Sequence, residues 1–538
     1  MTVSTRLVVL IAAAHLLVPF NSRAQQGVDT FFATSDNCVA CHNGLVTTDG
    51  TDVSIGDDWS GSMMANSARD PYWQAAVRRE MIDHPEAAAD IQDECSACHM
   101  PMARYTAKVS GQQGQVFAHL PVGPNPGVRP ALAHEGVSCT MCHQVQPDGL
   151  GTEESFTAGF VVDESTPPGE RAIFGPFAIS EGRRHIMRSA AMFEPREGAH
   201  IQDSGLCGSC HTLYTHSRGT DGKVIGTLPE QMPYLEWEHS DYPGRESCQS
   251  CHMPTLEQEM PVSAVLGEPR EGFSRHVFRG GNFFIMRMLS RYRGELGVTA
   301  AARDLEESAR QTIEHLQSAS AEVDITARRQ PTGTVEAVVR ILNKAGHKLP
   351  SAYPSRRSWL HVTVRAAGGE LVFDSGRLQA DGSIAGNDND RDPRRYEPHY
   401  DVIDDPSQVQ IYEGILAGPD GQVTTGLLTA TRYAKDNRLL PEGFDKATAP
   451  VDIAVRGAAS DDGSFGDGGD TIYYRIEVGD APGPYTVEAA LWYQPISFRW
   501  ARNLAPYDAF ETRRFLRYYD AMAADSGLVL TSGKAVVR

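Results

Sequence analysis

From about residue 321 onward, apolar and polar positions alternate with a period of two. VDITA (323–327), TVEAVVRIL (334–342), WLHVTV (359–364), ELVF (370–373), VQIY (409–412), TIYYRIEV (471–478) and YTVEAALWY (485–493) are β-branched and aromatic runs broken by Gly, Asp and Pro turns. About seven strands at this spacing predict an antiparallel β-sandwich. A last helix over 506–523, carrying Phe510, Phe515, Leu516 and Tyr519, has an apolar face suited to covering one sheet. Upstream the period changes. VTAAARDLEESARQTIEHLQS (298–318) reads as an exposed amphipathic helix rich in Ala, Glu and Arg. Before it, short helical stretches such as 71–81 are embedded in Gly/Pro-rich loops such as 121–130. The pattern divides the chain into a mostly helical and irregular part at 25–290, a helical connector at 291–320 and a sandwich-like part with its terminal helix at 321–538.

The irregular part carries all ten cysteines, in five copies of Cys-X-X-Cys-His: Cys38, Cys41 and His42; Cys95, Cys98 and His99; Cys139, Cys142 and His143; Cys207, Cys210 and His211; Cys248, Cys251 and His252. Chance would place on the order of 0.01 such motifs in a chain of this composition. A disulfide framework does not require a histidine after each second cysteine, and structural zinc sites pair Cys-X-X-Cys units without that constraint. Covalent c-type haem does: two thioethers hold the ring and the adjacent imidazole becomes the proximal iron ligand. Five haem c groups are therefore expected, with porphyrin supplying much of the apolar core that 25–290 lacks.

Haem attachment of this type takes place outside the cytoplasmic membrane, and the N-terminus agrees. Arg6, an apolar run from Leu7 to Phe20, and Ser22-Arg23-Ala24 make residues 1–24 a secretory signal peptide, with the mature chain beginning at Gln25. No later segment reaches the roughly 18 apolar residues of a membrane span. A periplasmic or secreted location follows. The formal charge of −20 argues against nucleic acid as a partner and favours basic redox proteins.

HEGVSCTMCH (134–143), EQMPYLEWEHS with CQSCHMP (230–254) and RHVFRGGN (275–282) resemble the large multihaem cytochrome c family that includes the cytochrome c-554 type. NKAGHKLPSAYPSRRSWLHVTV (343–364) and KDNRLLPEGF (435–444) resemble a C-terminal β domain accompanying such cytochromes in exported bacterial proteins. The resemblance implies electron transfer between redox partners and leaves an enzymatic role open. The alternatives are a haem oxidoreductase acting on a small nitrogen or sulfur compound, and a cytochrome docked into a larger extracellular assembly, or a homo-oligomer, through its β domain. Some catalytic relatives replace the proximal His of one motif; all five here end in His.

Each iron keeps one open axial position, which a second histidine closes to give a low-spin, electron-transferring centre. His134, beside the third motif, and His276, in RHVFRGGN, rank first, followed by His185, His216 and His119; His84, His200 and His239 rank lower. His239 is equally suited to bonding a propionate or a carbonyl. In the β half, His347 of AGHKLPS is the candidate to reach a haem across the boundary. Met63 and Met64 are alternative axial ligands, while Met100, Met141 and Met253 sit too close to their own motifs. Arg183, Arg184, Arg275 and Arg279 suit haem propionates. Asn387-Asp388-Asn389-Asp390 and Asp461, Asp462, Asp467 and Asp470 offer oxygen ligands for Ca2+, although neither run completes a known loop.

Overall fold

A computed structural model describes residues 31–120, 128–479 and 481–538. The signal-peptide segment 1–24 lies outside the described residues. Every Cys-X-X-Cys-His motif begins in a helix, Asp36–His42, Ala88–His99, Cys139–Cys142, Ser204–Gly208 and Cys248–His252, and the first, second and fifth lie wholly within theirs. A turn of helix puts the second thiol and the imidazole, three and four residues on, on the side of the first thiol. Between these turns run the helix Pro71–Asp83, capped by Asp70 accepting from the Tyr72 and Trp73 N–H groups, and a hairpin of Leu213–Arg218 with Val224–Gln231.

Two larger sheets follow Ala321. One has the order Val423–Thr424, Ile411–Ala417, Arg357–Arg365, Tyr485–Gln494, Leu528–Val537. Leu371–Ser375 pairs additionally with the third of these strands and Arg432–Asp436 with the second. The other has the order Val402–Ile403, Gly469–Glu477, Thr334–Asn343, Ala321–Arg329. All pairings are antiparallel except Val402–Ile403 with Gly469–Glu477. The alternation works as expected: Val335, Ala337, Val339 and Ile341 of one sheet and Tyr485, Val487, Ala489 and Leu491 of the other are all buried in one apolar core.

That core does not stop at the β half. Phe283, Phe284, Met288 and Leu289 of the helix Phe283–Arg291, together with Tyr72, Ala75, Leu228 and Met232, belong to it. The helix Phe510–Met522 packs Phe515 on Tyr72 with ring centroids 5.1 Å apart, and its Glu511 receives a bidentate pair from Arg78 at 2.9 and 3.0 Å. The connector helix Ala302–Ala319 buries Leu305, Ser308, Ala309, Thr312 and Leu316 instead of lying exposed, because Gly61 and the helix Phe283–Arg291 press against it. Among the described residues, no helix is long and apolar enough to cross a membrane.

Candidate functional site

All five motifs open onto one void of about 1000 Å³; all ten cysteines and His42, His99, His143, His211 and His252 line it. The proximal histidines share a pattern of bonding. Nδ1 of His42 sits 2.6 Å from the Val262 carbonyl, that of His99 3.1 Å from Ser67, that of His143 2.5 Å from Phe174 and that of His252 2.5 Å from Arg279. A carbonyl can only accept, so Nδ1 carries the proton in these four and Nε2 presents a lone pair. Burial pushes His99 and His252 down to about 4 and lowers His143 and His211, which keeps the rings neutral and competent as metal ligands. Trp73 stacks on His99 at 4.3 Å and 4°, fixing that ring's plane.

Thiols of different motifs also meet. Cys38 lies against Cys139, Cys98 against Cys210, and Cys207 against Cys248, while Cys142 lies within electrostatic reach of Cys210. The first motif therefore lies beside the third, and the fourth beside the second, third and fifth.

Three non-motif histidines line the same void: His276, His315 and His347. His276 faces His143 with ring centroids 6.3 Å apart and planes within 21°, and His347 faces His252 at 6.3 Å and 9°. Parallel rings at that distance are not stacked. Two imidazoles bound to opposite sides of one metal at about 2 Å each would stand roughly 6 Å apart. His276 Nδ1 is 3.1 Å from the Ser274 carbonyl and His347 Nδ1 2.9 Å from that of Lys348, so both leave Nε2 for the metal. His315, on the connector helix, lies 6.0 Å from His252 at 66°. Its position was readable, three residues beyond Thr312 on the buried stripe, but the helix had been expected to lie in solvent.

The other candidates separate clearly. His134 is buried, its Nε2 donates to the His119 carbonyl at 2.6 Å and its Nδ1 is buried without a partner, but it does not line the void. His185 is corrected: it is exposed and paired with Glu181, because its helix Glu181–Ala191 turns that face to solvent. His216 is corrected likewise: it is exposed on the hairpin, with Nδ1 3.2 Å from Glu94. His119 contributes its carbonyl to His134 and does not line the void. His84 approaches the Thr429 hydroxyl at 3.4 Å, while His200 and His239 bond the carbonyls of Val145 and Asp445. Met63 and Met64 line the void, whereas Met100 is buried in the core beside it. Arg275 is held by Asp58, Arg183 by Glu268 and Arg184 by glutamates; Arg279 lines the void with Nε on the Cys251 carbonyl.

The acidic runs proposed for Ca2+ have other work. Asp390 is buried against Arg357 at 2.8 and 3.0 Å, Asn387 caps the turn Asp388–Arg391, and Asp388 pairs with Arg391 and Arg395. Asp462 and Asp470 converge on buried His399. Gln410 and Asn437 accept backbone N–H bonds from Tyr400 and Glu413 through their oxygens, so both turn NH2 groups to His399 Nδ1, at 2.8 and 3.1 Å. Nδ1 must accept, and Nε2–H donates to Asp462 at 3.0 Å. The ring atom that faces the carboxylates is thus a donor, not a cation ligand.

Ten thiols lining one void, four proximal rings with Nδ1 anchored on carbonyls, and His276 and His347 facing two of those rings with Nε2 unbonded form a donor set that fits haem c. The class this defines is a multihaem cytochrome fold. The solved structure of a penta-haem cytochrome c552 from Thermochromatium tepidum is similar to this chain, with a TM-score of 0.50 and 16% sequence identity, over 94% of this chain and 99% of that one. No family profile matches the chain, and no curated protein does.

Proposed function

We propose that this chain is an exported c-type cytochrome that transfers electrons between redox partner proteins through five covalently held haems. The observation that carries the reading is the pair His143 and His276, 6.3 Å apart across the void with both Nδ1 atoms anchored on carbonyls. When bound, haem supplies one-electron redox chemistry at iron. The chain's part would be to attach each ring by two thiols, fix the imidazole planes and hold iron with His276 and His347, which line the void beside the motif histidines. The contacts between cysteines order the relay: first beside third, then fourth, with second and fifth both adjoining the fourth. The buried faces of the two sheets, meeting in one core, support an antiparallel sandwich for the β half. The acidic surface suits basic partners. A spectrum of the ferric protein tests the reading: low-spin haem should dominate and carbon monoxide should bind weakly.

A second reading, an oxidoreductase acting on a small nitrogen or sulfur compound, is favoured by protic groups in the same void. Asp70, Tyr72, Glu230, Tyr353 and Arg356 line it, and Arg356 acts electrostatically on both Asp70 and His211. Stoichiometric binding of hydroxylamine at one iron of the unmodified protein would select this reading over the carrier.

A further inference from the structure

The two halves of the chain meet through charges that solvent does not reach. Glu236, on the short helix Pro233–Glu238 just before the fifth motif, is fully buried. From the β half, the Arg438 guanidinium lies 2.9 Å from Glu236 Oε1, a charge pair whose N–H is not aligned on the oxygen, and forks onto Asp436 at 2.8 and 2.7 Å. Lys348, with no exposed side-chain surface, sets Nζ 2.7 Å from Asp436 Oδ2. Glu236 Oε2 in turn accepts from the Lys348 backbone N–H at 3.2 Å and the Ser351 hydroxyl at 2.5 Å. Two cations and two anions form a closed set, and both of its ends grip the segment that His347 begins.

The neighbouring contacts make that segment rigid. Asn343 Nδ2 donates to the His347 carbonyl at 2.9 Å, and the Tyr242 hydroxyl donates to that of Lys344 at 2.8 Å. A Cβ at Gly346 would stand 3.1 Å from Tyr242 and 3.3 Å from Trp237, so the loop already lies as close to the haem half as a backbone can. His252 follows on the same stretch of chain. One interface therefore holds both rings of the His252–His347 pair.

A buried ion set is a poor source of stability, because desolvating each charge offsets the attraction, and apolar side chains of similar size often replace it without loss. What it supplies that an apolar plug does not is a fixed direction. We propose that the Glu236–Arg438–Asp436–Lys348 set is a positioning device that holds the His347 imidazole at axial distance opposite His252, so that the contact between the two halves governs whether the fifth site is closed. The proposal rests on reading His347 as an axial ligand.

The test uses the full-length, haem-loaded protein and reads carbon monoxide uptake, the high-spin signal and the thermal midpoint. His347→Ala should take up about one carbon monoxide per chain. Glu236→Gln should take up a definite fraction of that amount, with five haems and unchanged secondary structure, and millimolar imidazole should return both variants to low spin. Parent-like indifference to carbon monoxide in Glu236→Gln, alongside uptake in His347→Ala, would overturn the positioning role and leave the ligand reading standing. No uptake in His347→Ala would overturn both. Should Glu236→Gln fail to fold, Ser351→Ala, which removes a single hydroxyl from the set, decides by the same uptake criterion.

Discussion

At the scale of single residues, what distinguishes the working imidazoles is which nitrogen is already spoken for. His276 holds Nδ1 on the Ser274 carbonyl, and burial pushes its pKa down to about 3, so Nε2 is a bare lone pair at neutral pH. His276→Ala should open the iron held by His143. A high-spin signal should appear, and about one carbon monoxide per chain should bind where the parent binds little; an unchanged spectrum would remove His276 from the ligand set. Glu230 makes a prediction of a different kind. Its carboxyl is buried with only the Thr215 hydroxyl and the Gln231 amide as partners, and burial pushes it up from 4.5 to about 7. Glu80 and Glu94 lie close enough to raise it further, while Tyr353, Tyr433, Cys95 and Cys98 surround it without a cation of their own. Between the ordinary value and about 7 the native chain keeps a proton that the unfolded chain has released, so stability falls as pH rises through that window and is level above it. Glu230→Gln should remove this loss, roughly 3 kcal/mol at most. Measured by denaturant unfolding, the variant should gain on the parent between pH 5 and pH 8; parallel curves would show that Glu230 is ionised throughout.

At the scale of elements, legibility followed local pattern. Strict alternation marked Ala321–Arg329, Thr334–Asn343, Gly469–Glu477 and Tyr485–Gln494, and an apolar stripe marked Phe510–Met522. Leu528–Val537 escaped because Thr531-Ser532-Gly533 reads as a turn. In the structure Gly533 is a strand residue pressed on Ala321–Arg329, where a Cβ would meet Ile325 Cγ2 and the Val323 carbonyl oxygen, both at 3.1 Å. The haem motifs were unmistakable because their chemistry fixes their spacing. Axial partners were not, since a distal ligand answers only to three-dimensional proximity: only the phrase RHVFRGGN sets His276 apart in sequence from His185 and His216, and His315 was passed over on a helix expected to lie in solvent. The role of the Asn387–Asp390 run was hidden for a related reason, as the buried Arg357, thirty-three residues away in sequence, is the partner of Asp390. Asp390 ties Arg357 of one strand to the Ile384 N–H, and Asp390→Ala would leave a buried guanidinium without a counter-charge, held only by Gln494 Oε1 and the Gly382 carbonyl. The expected cost is about 3–5 kcal/mol, seen as a lowered thermal midpoint. A chelator should leave the parent's midpoint where it was, and a fall on chelation would restore the calcium reading.

At the scale of the whole molecule, the arrangement of thiols makes the fourth motif a junction. Cys210 lies against Cys98 and within reach of Cys142, and Cys207 lies against Cys248, so the second, third and fifth sites adjoin the fourth, while the first is reached through Cys139 of the third. On the electron-carrier reading, an electron entering at the first site would pass the fourth before reaching the second or the fifth. His211 is the proximal residue there. It lines the void, within electrostatic reach of Arg356 and His347. Exchanging an axial imidazole for a thioether raises a haem potential, so His211→Met should convert the junction into a sink while Cys207 and Cys210 keep the ring attached. Potentiometric titration should show one haem moved to higher potential and the others nearly unmoved. After rapid mixing with reductant, one electron should collect at that haem, and reduction of the rest should slow by more than the same shift produces in His42→Met at the end of the relay. Equal slowing in the two variants would mean that the sites are reached independently and that the cysteine contacts do not trace the electron's route.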